Sequence, residues 1–241
     1  VQGGREPDIV KFYTGLYHAL LGRGMANDVN GAYPRNDGGI GQLPMNANGE
    51  PKFSFYNSDA VWGAFWNLTQ LWALACPDYY NDFVQTHLQI YQDAGWLGDG
   101  IANSRYVSGV GTNFVGLVIA AAYNCGIRNY DENIALEAAL KNELSWTDRP
   151  LGAGKFDVEA FVNQGYVPHD ATFGKYAEGS AFSASHVLEY SFSASAVAQF
   201  AKALHSTQEF NKLNELANSW ELLYDENTGF IRPKYANGKF I

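Results

Sequence analysis

Apolar residues recur at helical spacing along most of the chain. Glu6–Leu21 (EPDIVKFYTGLYHALL) repeats them every three or four positions and stops at Gly22. The same period predicts helices over Asn57–Cys76, ended by Pro77, over Asp78–Ala94, ended by Gly95, and over Phe114–Cys125, ended by Gly126. Asp131–Leu144 follows, with an acidic first turn that suits the helix dipole. A short helix is predicted over Asp157–Asn163 and longer ones over Ala184–Leu204 and Thr207–Tyr224. The helices at 57–76, 114–125 and 184–204 are apolar or small on nearly every face, whereas those at 78–94, 131–144 and 207–224 each keep a polar face. A helix that is apolar all round is buried on both sides; a one-sided helix covers a surface. Buried and covering helices in succession, with short turns at one end and long glycine-rich loops at the other, predict a single all-α domain over 1–241. Its architecture would be an (α/α) toroid, an inner ring of helices wrapped by an outer one. An irregular helical bundle is the alternative, and no strand pairs or dinucleotide-binding glycine fingerprint are expected.

Composition narrows the partners. The 241 residues include 16 basic and 25 acidic side chains, a net charge of −9, and only 17% are charged, against about 25% in ordinary globular domains. An acidic chain without a Lys/Arg cluster is a poor match for nucleic acid or an anionic membrane. A 15% aromatic content excludes disorder. The longest apolar run, Gly116–Tyr123, falls far short of the ~20 residues that span a bilayer. Cys76 and Cys125, in separate apolar segments, read as buried free thiols. The first residue is Val and no leader pattern precedes the domain, which predicts either a removed targeting segment or a piece of a longer protein.

The unusual residues fall in the long loops that a toroid gathers at one end. They include Asp28 and Asp37, then Trp96, Asp99 and Tyr106, then Tyr166, His169, Asp170, Tyr176 and Glu178. Aromatic rings beside carboxylates and amides suit a sugar: rings stack on its C–H faces, carboxylates bind its hydroxyls, and a carboxylate pair hydrolyses a glycosidic bond. The alternative for loops this polar is that they are only loops. Nucleophile-elbow, Walker and H-E-x-x-H patterns are missing. His186 and Glu189, three apart on one helix, read as a structural hydrogen-bonding pair rather than half of a metal site. Asp28–Gly31 (DVNG) and Asp225–Gly229 (DENTG) lack calcium-loop spacing and read as turns.

Several segments in order resemble one family. FYTGLYHALL (Phe12–Leu21) is similar to an F-Y-T-A-L-Y-H opening helix and NDVNGAY (Asn27–Tyr33) to S-D-V-D-G-R-Y. PDYYNDFVQTHLQIYQDAGWL matches a stretch ending G-G-W-L-P, and VIAAAYNCGIRNYDENIALEAA resembles a V-I-A-D-A-Y-x-K-G-I helix pair. Gly165–Pro168 (GYVP) is kept, Ser183–Tyr190 (SASHVLEY) resembles S-V-S-K-T-L-E-Y, and DENTGFIRPK resembles D-P-E-T-G-F-M-R-P. This is the pattern of glycoside hydrolase family 92, a largely bacterial family of calcium-dependent, inverting α-mannosidases. The resemblance implies an incomplete (α/α)6 barrel from a larger protein, without the family's β-sandwich domain or its later Y-T-E-G-N-A-W-Q segment. It further implies calcium as cofactor, a mannose-type glycan as partner, and a secreted or periplasmic location.

The departures fall where chemistry is expected. The family's L-W-D-T-F-R reads Val61-Trp62-Gly63-Ala64-Phe65-Trp66, so the tryptophan is kept while the Asp and Arg are gone. Tyr106 stands where many members carry the general-acid Glu, and Ser193-Ala194-Ser195 replaces the D-D-W that supplies the base. A phenol with a pKa of about 10 does not replace a carboxylic acid at neutral pH, and inversion needs two carboxylates. Loop position makes Asp99 and Glu178 the first replacement candidates and Asp59 the next. The expected sugar contacts are Trp62, Trp66, Trp96, Tyr106, Asp28, Tyr166 and Glu189, the last equally readable as a buried structural residue. Two readings remain: a glycosidase acting on α-mannosidic or related linkages, and a non-catalytic glycan-binding or structural member.

Overall fold

A computed structural model describes residues 3–102, 104–107, 111–170 and 182–241. Eight α-helices and seven short strands are described: α1 (Glu6–Leu20), β1 (Ala32–Pro34), β2 (Ile40–Gln42), β3 (Asp59–Ala60), α2 (Leu68–Ala75), α3 (Pro77–Ala94), β4 (Gly100–Ala102), β5 (Arg105–Tyr106), α4 (Phe114–Asn124), α5 (Glu132–Leu144), α6 (Val158–Gln164), α7 (Ser183–Ala203), α8 (Thr207–Ala217), β6 (Tyr224–Asp225) and β7 (Phe230–Ile231). The predicted helices are present, but 57–76 is helical only from Leu68. Gly63, at φ 82°, turns the chain left-handed and a 3-10 turn over Ala64–Trp66 precedes α2. The last helix likewise ends at Ala217, and Ser219–Leu223 is 3-10. Strand pairing, which the helical period does not reveal, forms three small antiparallel sheets: β1-β2, β3-β4-β5 and β6-β7. These strands have two or three residues each, too few for an alternating pattern.

The alternation of buried and covering helices is real in part; α2, expected to be buried on nearly every face, buries only Thr69 and Trp72 and leaves Leu74 exposed. In α4 all residues but Ala121 and Asn124 are buried, and it packs against α2, α3, α5 and α7. α7 packs on α4, α5 and α8, and α8 buries only Leu213 and Leu216. α3 departs from the expectation, because it is buried on two sides. One side meets the main core; over the other lies the chain from Gly24 to Asn57, which brings Tyr33, Leu43, Phe53 and Phe55 against Ile90 and Ile101 in a second apolar cluster. Polar contacts tack this segment along the whole helix: Ser54 N–H donates to Asp82 (2.8 Å), Tyr56 N–H to Thr86 Oγ1 (3.1 Å) and the Tyr33 hydroxyl to Asp93 (2.5 Å). The long early loop is therefore a blanket over α3 rather than part of a rim. α1 buries none of its residues. Both cysteines are free and neither is buried: Cys76 is half-buried and Cys125 is exposed at the end of α4.

Between α4, α5 and α7 the core is polar. Lys155 and Glu143, both fully buried, form an ion pair. Asn113 donates to Glu143 (2.7 Å), and Asn142 joins Asn113 (3.2 Å) to both backbone groups of Leu97. Burial pushes the Lys155 ammonium down and the Glu143 carboxylate pulls it back up. Removing one partner leaves the other as an uncompensated buried charge, which costs about 3–5 kcal/mol, while replacing both by apolar groups is often neutral. Lys155→Met is expected to lose that much in thermal or urea unfolding, and Glu143→Leu/Lys155→Met to recover most of it. Equal losses in the single and double variants would show that packing, not charge, holds this joint.

Candidate functional site

The connection before α2 and the one after α3 are joined by the three-stranded sheet. Asp59 and Ala60 of β3 pair with Ile101 and Gly100, and Ile101 and Ala102 of β4 pair with Tyr106 and Arg105. Gly100 is required at this crossing, since a Cβ there would stand 2.7 Å from the Asp59 carbonyl oxygen. The pairing sets Trp62, two residues past β3, close to the Trp96–Tyr106 connection, and Val61 N–H reaches the Asp99 carbonyl at 3.5 Å.

Trp62 is 51% exposed, and its indole N–H donates to Glu189 Oε1 on α7 at 3.3 Å. Glu189 is half-buried; burial raises its carboxyl above the usual range, partly offset by the indole hydrogen bond. After the Gly63 turn, Phe65 stacks on Phe114 (centroids 5.1 Å apart) and leans on Phe192 (4.9 Å). Trp66 stacks on Phe65 at 5.2 Å and is 75% exposed. Phe192 is also exposed and lies three residues, about one turn, beyond Glu189. Trp62, Trp66, Phe65 and Phe192 thus make an aromatic shelf with a carboxylate at its edge. Phe65 and Phe192 were not anticipated as site residues; the available signal was one large aromatic among small residues in SFSASA.

The other candidates lie elsewhere. Trp96 is 4% exposed, with the Lys141 ammonium 4.7 Å from its ring centre and its carbonyl accepting the Tyr106 hydroxyl at 2.7 Å. Burial pushes the Tyr106 hydroxyl well above its ordinary range. Asp99 is buried and accepts hydrogen bonds from Gly111 N–H (3.0 Å), Thr112 N–H (3.3 Å) and the Thr112 hydroxyl (3.0 Å), so its carboxylate organises the approach to α4 from inside. Asp59 is exposed, in the left-handed region at φ 52°, and turned toward Gly22. Asp28 is exposed in the turn leading to β1, within the blanket over α3. Tyr166 donates to the Tyr235 carbonyl at 3.0 Å, and Asp170 accepts from Ala236 N–H at 2.7 Å, which ties that connection to the C-terminal segment. Tyr176 and Glu178 lie outside the described residues. The structure therefore brings together Trp62, Trp66 and Glu189 of the expected contacts, and joins the Asp59 and Trp96–Asp99–Tyr106 segments through backbone.

Behind the shelf is a sealed polar cluster. Tyr190 Oη lies 2.7 Å from the Gly111 carbonyl, 2.6 Å from that of Phe156 and 3.3 Å from His186 Nδ1. His186 stacks on Tyr190, and its Nδ1 is 4.0 Å from Asp157 Oδ2. His186 and Glu189 therefore serve different surroundings. Asp157 is buried at φ 50°, and among the described residues neither of its carboxylate oxygens has a hydrogen-bond partner. Burial raises its carboxyl to about 6, against a lowering pull from Arg149.

A calcium site needs six to eight oxygen ligands, several of them carboxylates. Among the described residues no group of three or more His, Cys, Asp or Glu side chains gathers to hold a metal, and Asp157, the orphaned buried carboxylate, faces Arg149 and His186 instead of further oxygens. The described residues gather no carboxylate cluster for calcium, and no chemistry is assigned through it.

The family model described as "Glycosyl hydrolase family 92 catalytic domain" matches residues 1–241. No curated protein matches the chain. Among solved structures, a family 92 α-mannosidase from Bacteroides thetaiotaomicron superposes with a TM-score of 0.83 at 22% identity, covering 100% of this chain and 30% of that one. Its complex with mannoimidazole gives 0.81 at 22% identity, covering 95% and 28%. A family 92 inverting mannosidase from the same bacterium gives 0.82 at 21% identity, covering 100% and 31%. The fold is thus that of part of these proteins, and the chain spans less than a third of their length.

Asp157 makes a pH-dependent prediction. Its carboxyl is raised from 3.8 to about 6 in the folded chain, so the native state binds the proton more tightly than the unfolded state does. The contribution of Asp157 to stability is then greatest below pH 4, falls as pH rises toward 6, and stays reduced above it. Two pH units correspond to about 1–3 kcal/mol at 1.36 kcal/mol each. Asp157→Asn, which tolerates the left-handed backbone, is expected to match the parent chain at pH 4 and exceed it by that amount at pH 8. Denaturant unfolding at the two pH values reads the difference; a gain independent of pH would remove the assignment.

Proposed function

The chain belongs to the glycosyl hydrolase family 92 catalytic-domain family, and on that premise we propose that it forms part of a glycosidase acting on α-mannosidic or related glycan linkages. The observation that carries this reading is the Trp62–Glu189 pair at the edge of the exposed shelf. A half-exposed indole offers stacking for the C–H face of a sugar ring, and a carboxylate beside it accepts its hydroxyl hydrogens. The architecture that fits the helix order is an incomplete (α/α)6 barrel, with α2, α4 and α7 as inner helices. A secreted or periplasmic location in a bacterium accords with a glycan substrate.

A non-catalytic, glycan-binding role is the second reading. It is favoured by Asp99, whose carboxylate is buried and already accepts three hydrogen bonds. Titration calorimetry with α-linked manno-oligosaccharides, together with reducing-sugar release, separates the two. Binding is expected to weaken about tenfold, near 1.4 kcal/mol, in Trp62→Ala and in Trp66→Ala. Unchanged binding in both variants would detach carbohydrate from this surface.

A further inference from the structure

We propose that the outer face of α3 carries a second ligand site, a groove that takes an extended neutral glycan strand through its hydroxyl groups. None of its residues belongs to the shelf, and the inference does not depend on the glycosidase reading. One hollow, of about 630 Å³, lies between the first turns of α3 and the turn joining α4 to α5, and includes Asp78, Asn81, Asp82, Ile127, Arg128 and Asn129. That volume is typical of ligand clefts, which span roughly 300–1,000 Å³. A smaller hollow, of about 150 Å³, has Gln85, Gln89 and Gln92 of α3 opposite Tyr130 and Asp131. Positions 78, 81, 82, 85, 89 and 92 share one face of the helix, and Asn129 is followed directly by Tyr130. The two hollows therefore run end to end along α3 for about 20 Å.

Unused hydrogen-bonding capacity marks the groove as a site. Asn81 lines the larger hollow and is 8% exposed; its amide N–H donates to the Asp82 carboxylate, which leaves Oδ1 without a partner among the described residues. The Tyr130 hydroxyl is unpartnered in the same way. Arg128 is held through its Nε on the Tyr123 carbonyl (3.0 Å) and lies over that ring, so its outer N–H groups stay free among the described residues. An orphaned buried acceptor destabilises the chain, and a ligand donor set against it removes the penalty. Donors and acceptors are too closely mixed here for a charged ligand. An anion would meet Asp78 and Asp82, and an ammonium group would meet Arg128. Calcium would lack further acidic ligands, since among the described residues no three His, Cys, Asp or Glu side chains gather. A hydroxyl group both donates and accepts, so a row of them satisfies Asp78, Asn81, Arg128, the glutamine amides and Tyr130 alike. Ile127 and Leu88, both buried, add apolar surface for the C–H faces of the rings.

The test is an NMR titration of the full chain with three neutral tetrasaccharides: α-linked mannotetraose, maltotetraose and cellotetraose. Backbone amide signals of Gln89, Asn129 and Tyr130 report the groove, and the Trp62 indole N–H reports the shelf. At least one sugar is expected to move the groove signals, and to move them equally in Trp62→Ala/Trp66→Ala. Asn81→Ala and Tyr130→Phe are each expected to raise the Kd read at the groove about three- to tenfold. Tyr130→Phe should do so without lowering Tm, because its hydroxyl has no partner to lose. Groove shifts with a silent indole would uphold the inference and count against the shelf. Shifts confined to the indole would overturn the groove and keep the glycosidase reading. No groove response to any of the three sugars, or an unchanged Kd in both groove variants, would overturn it too. A groove that answers calcium chloride, spermidine or inorganic phosphate at lower concentration than any sugar is a site for ions, and the glycan assignment falls.

Discussion

Gly111 is the point at which the loop system is fastened. It sits at φ 70°, and a Cβ on it would lie 2.2 Å from the Phe156 ring. Its N–H donates to Asp99, while its carbonyl accepts the Phe156 N–H at 3.0 Å and lies 2.7 Å from the Tyr190 hydroxyl. Two connections and a helix meet in those bonds: both ends of the α3–α4 connection, the connection before α6, and α7 through Tyr190. A residue with a side chain fails here on conformation and on space together, so the knot depends on a missing Cβ.

From that knot the shelf inherits its geometry. Thr112, held by Asp99, is followed after one residue by Phe114, the first residue of α4 and the surface on which Phe65 stacks. Tyr190 fixes the rotation of α7, and the residues flanking it on that helix are Glu189, which meets Trp62, and, two further on, Phe192, which meets Phe65. The exposed rings are thus backed by buried polar bonds instead of by apolar filling alone. Such bonds are directional and short-range, and they specify one arrangement where apolar packing tolerates several. A stacking surface for a ligand benefits from this, since rings already fixed lose little freedom on binding.

What could be read from the sequence follows the range of each signal. Helical period located α3, α4, α5 and α7 within a residue or two, because apolar spacing over ten or more residues is a strong and local pattern. It extended α2 across Asp59–Asn67, because Val61, Trp62, Phe65 and Trp66 are apolar at near-helical spacing. They are apolar for another reason: two of them are packed against helices distant in sequence, and two face solvent. Among the candidate carboxylates, composition does not distinguish Asp99, drawn inward by backbone N–H groups, from Glu189 on α7, left at an edge. Both sit in polar or kept motifs, and only the tertiary fold decides which one meets solvent. Trp96 and Asp28 were placed at the rim by loop length, yet one is wrapped by Lys141 and the other lies on the blanket over α3. Loop length says how far a segment can reach and nothing about what covers it.

The segment Val61–Trp66 shows how a polar recognition site and an apolar one exclude each other. Its resemblance to L-W-D-T-F-R keeps the tryptophan and the phenylalanine but exchanges Asp for Gly63 and Arg for Trp66. Space is not what forbids an Asp at 63, since an added Cβ would meet Trp66 only at an ordinary 3.6 Å. The backbone is the obstacle: at φ 82° a non-glycine residue is strained by about 1 kcal/mol or more. That left-handed turn is also what leads into the 3-10 turn on which Trp66 stacks over Phe65. Restoring the Asp therefore works against the turn that presents Trp66, and restoring the Arg removes the ring itself. The two exchanges form one coupled change, from a pair of charged positions to a left-handed turn that presents an exposed apolar ring. With no Asp at 63, the acidic side chain that the Trp62 indole engages is Glu189, so the polar partner of this segment comes from α7.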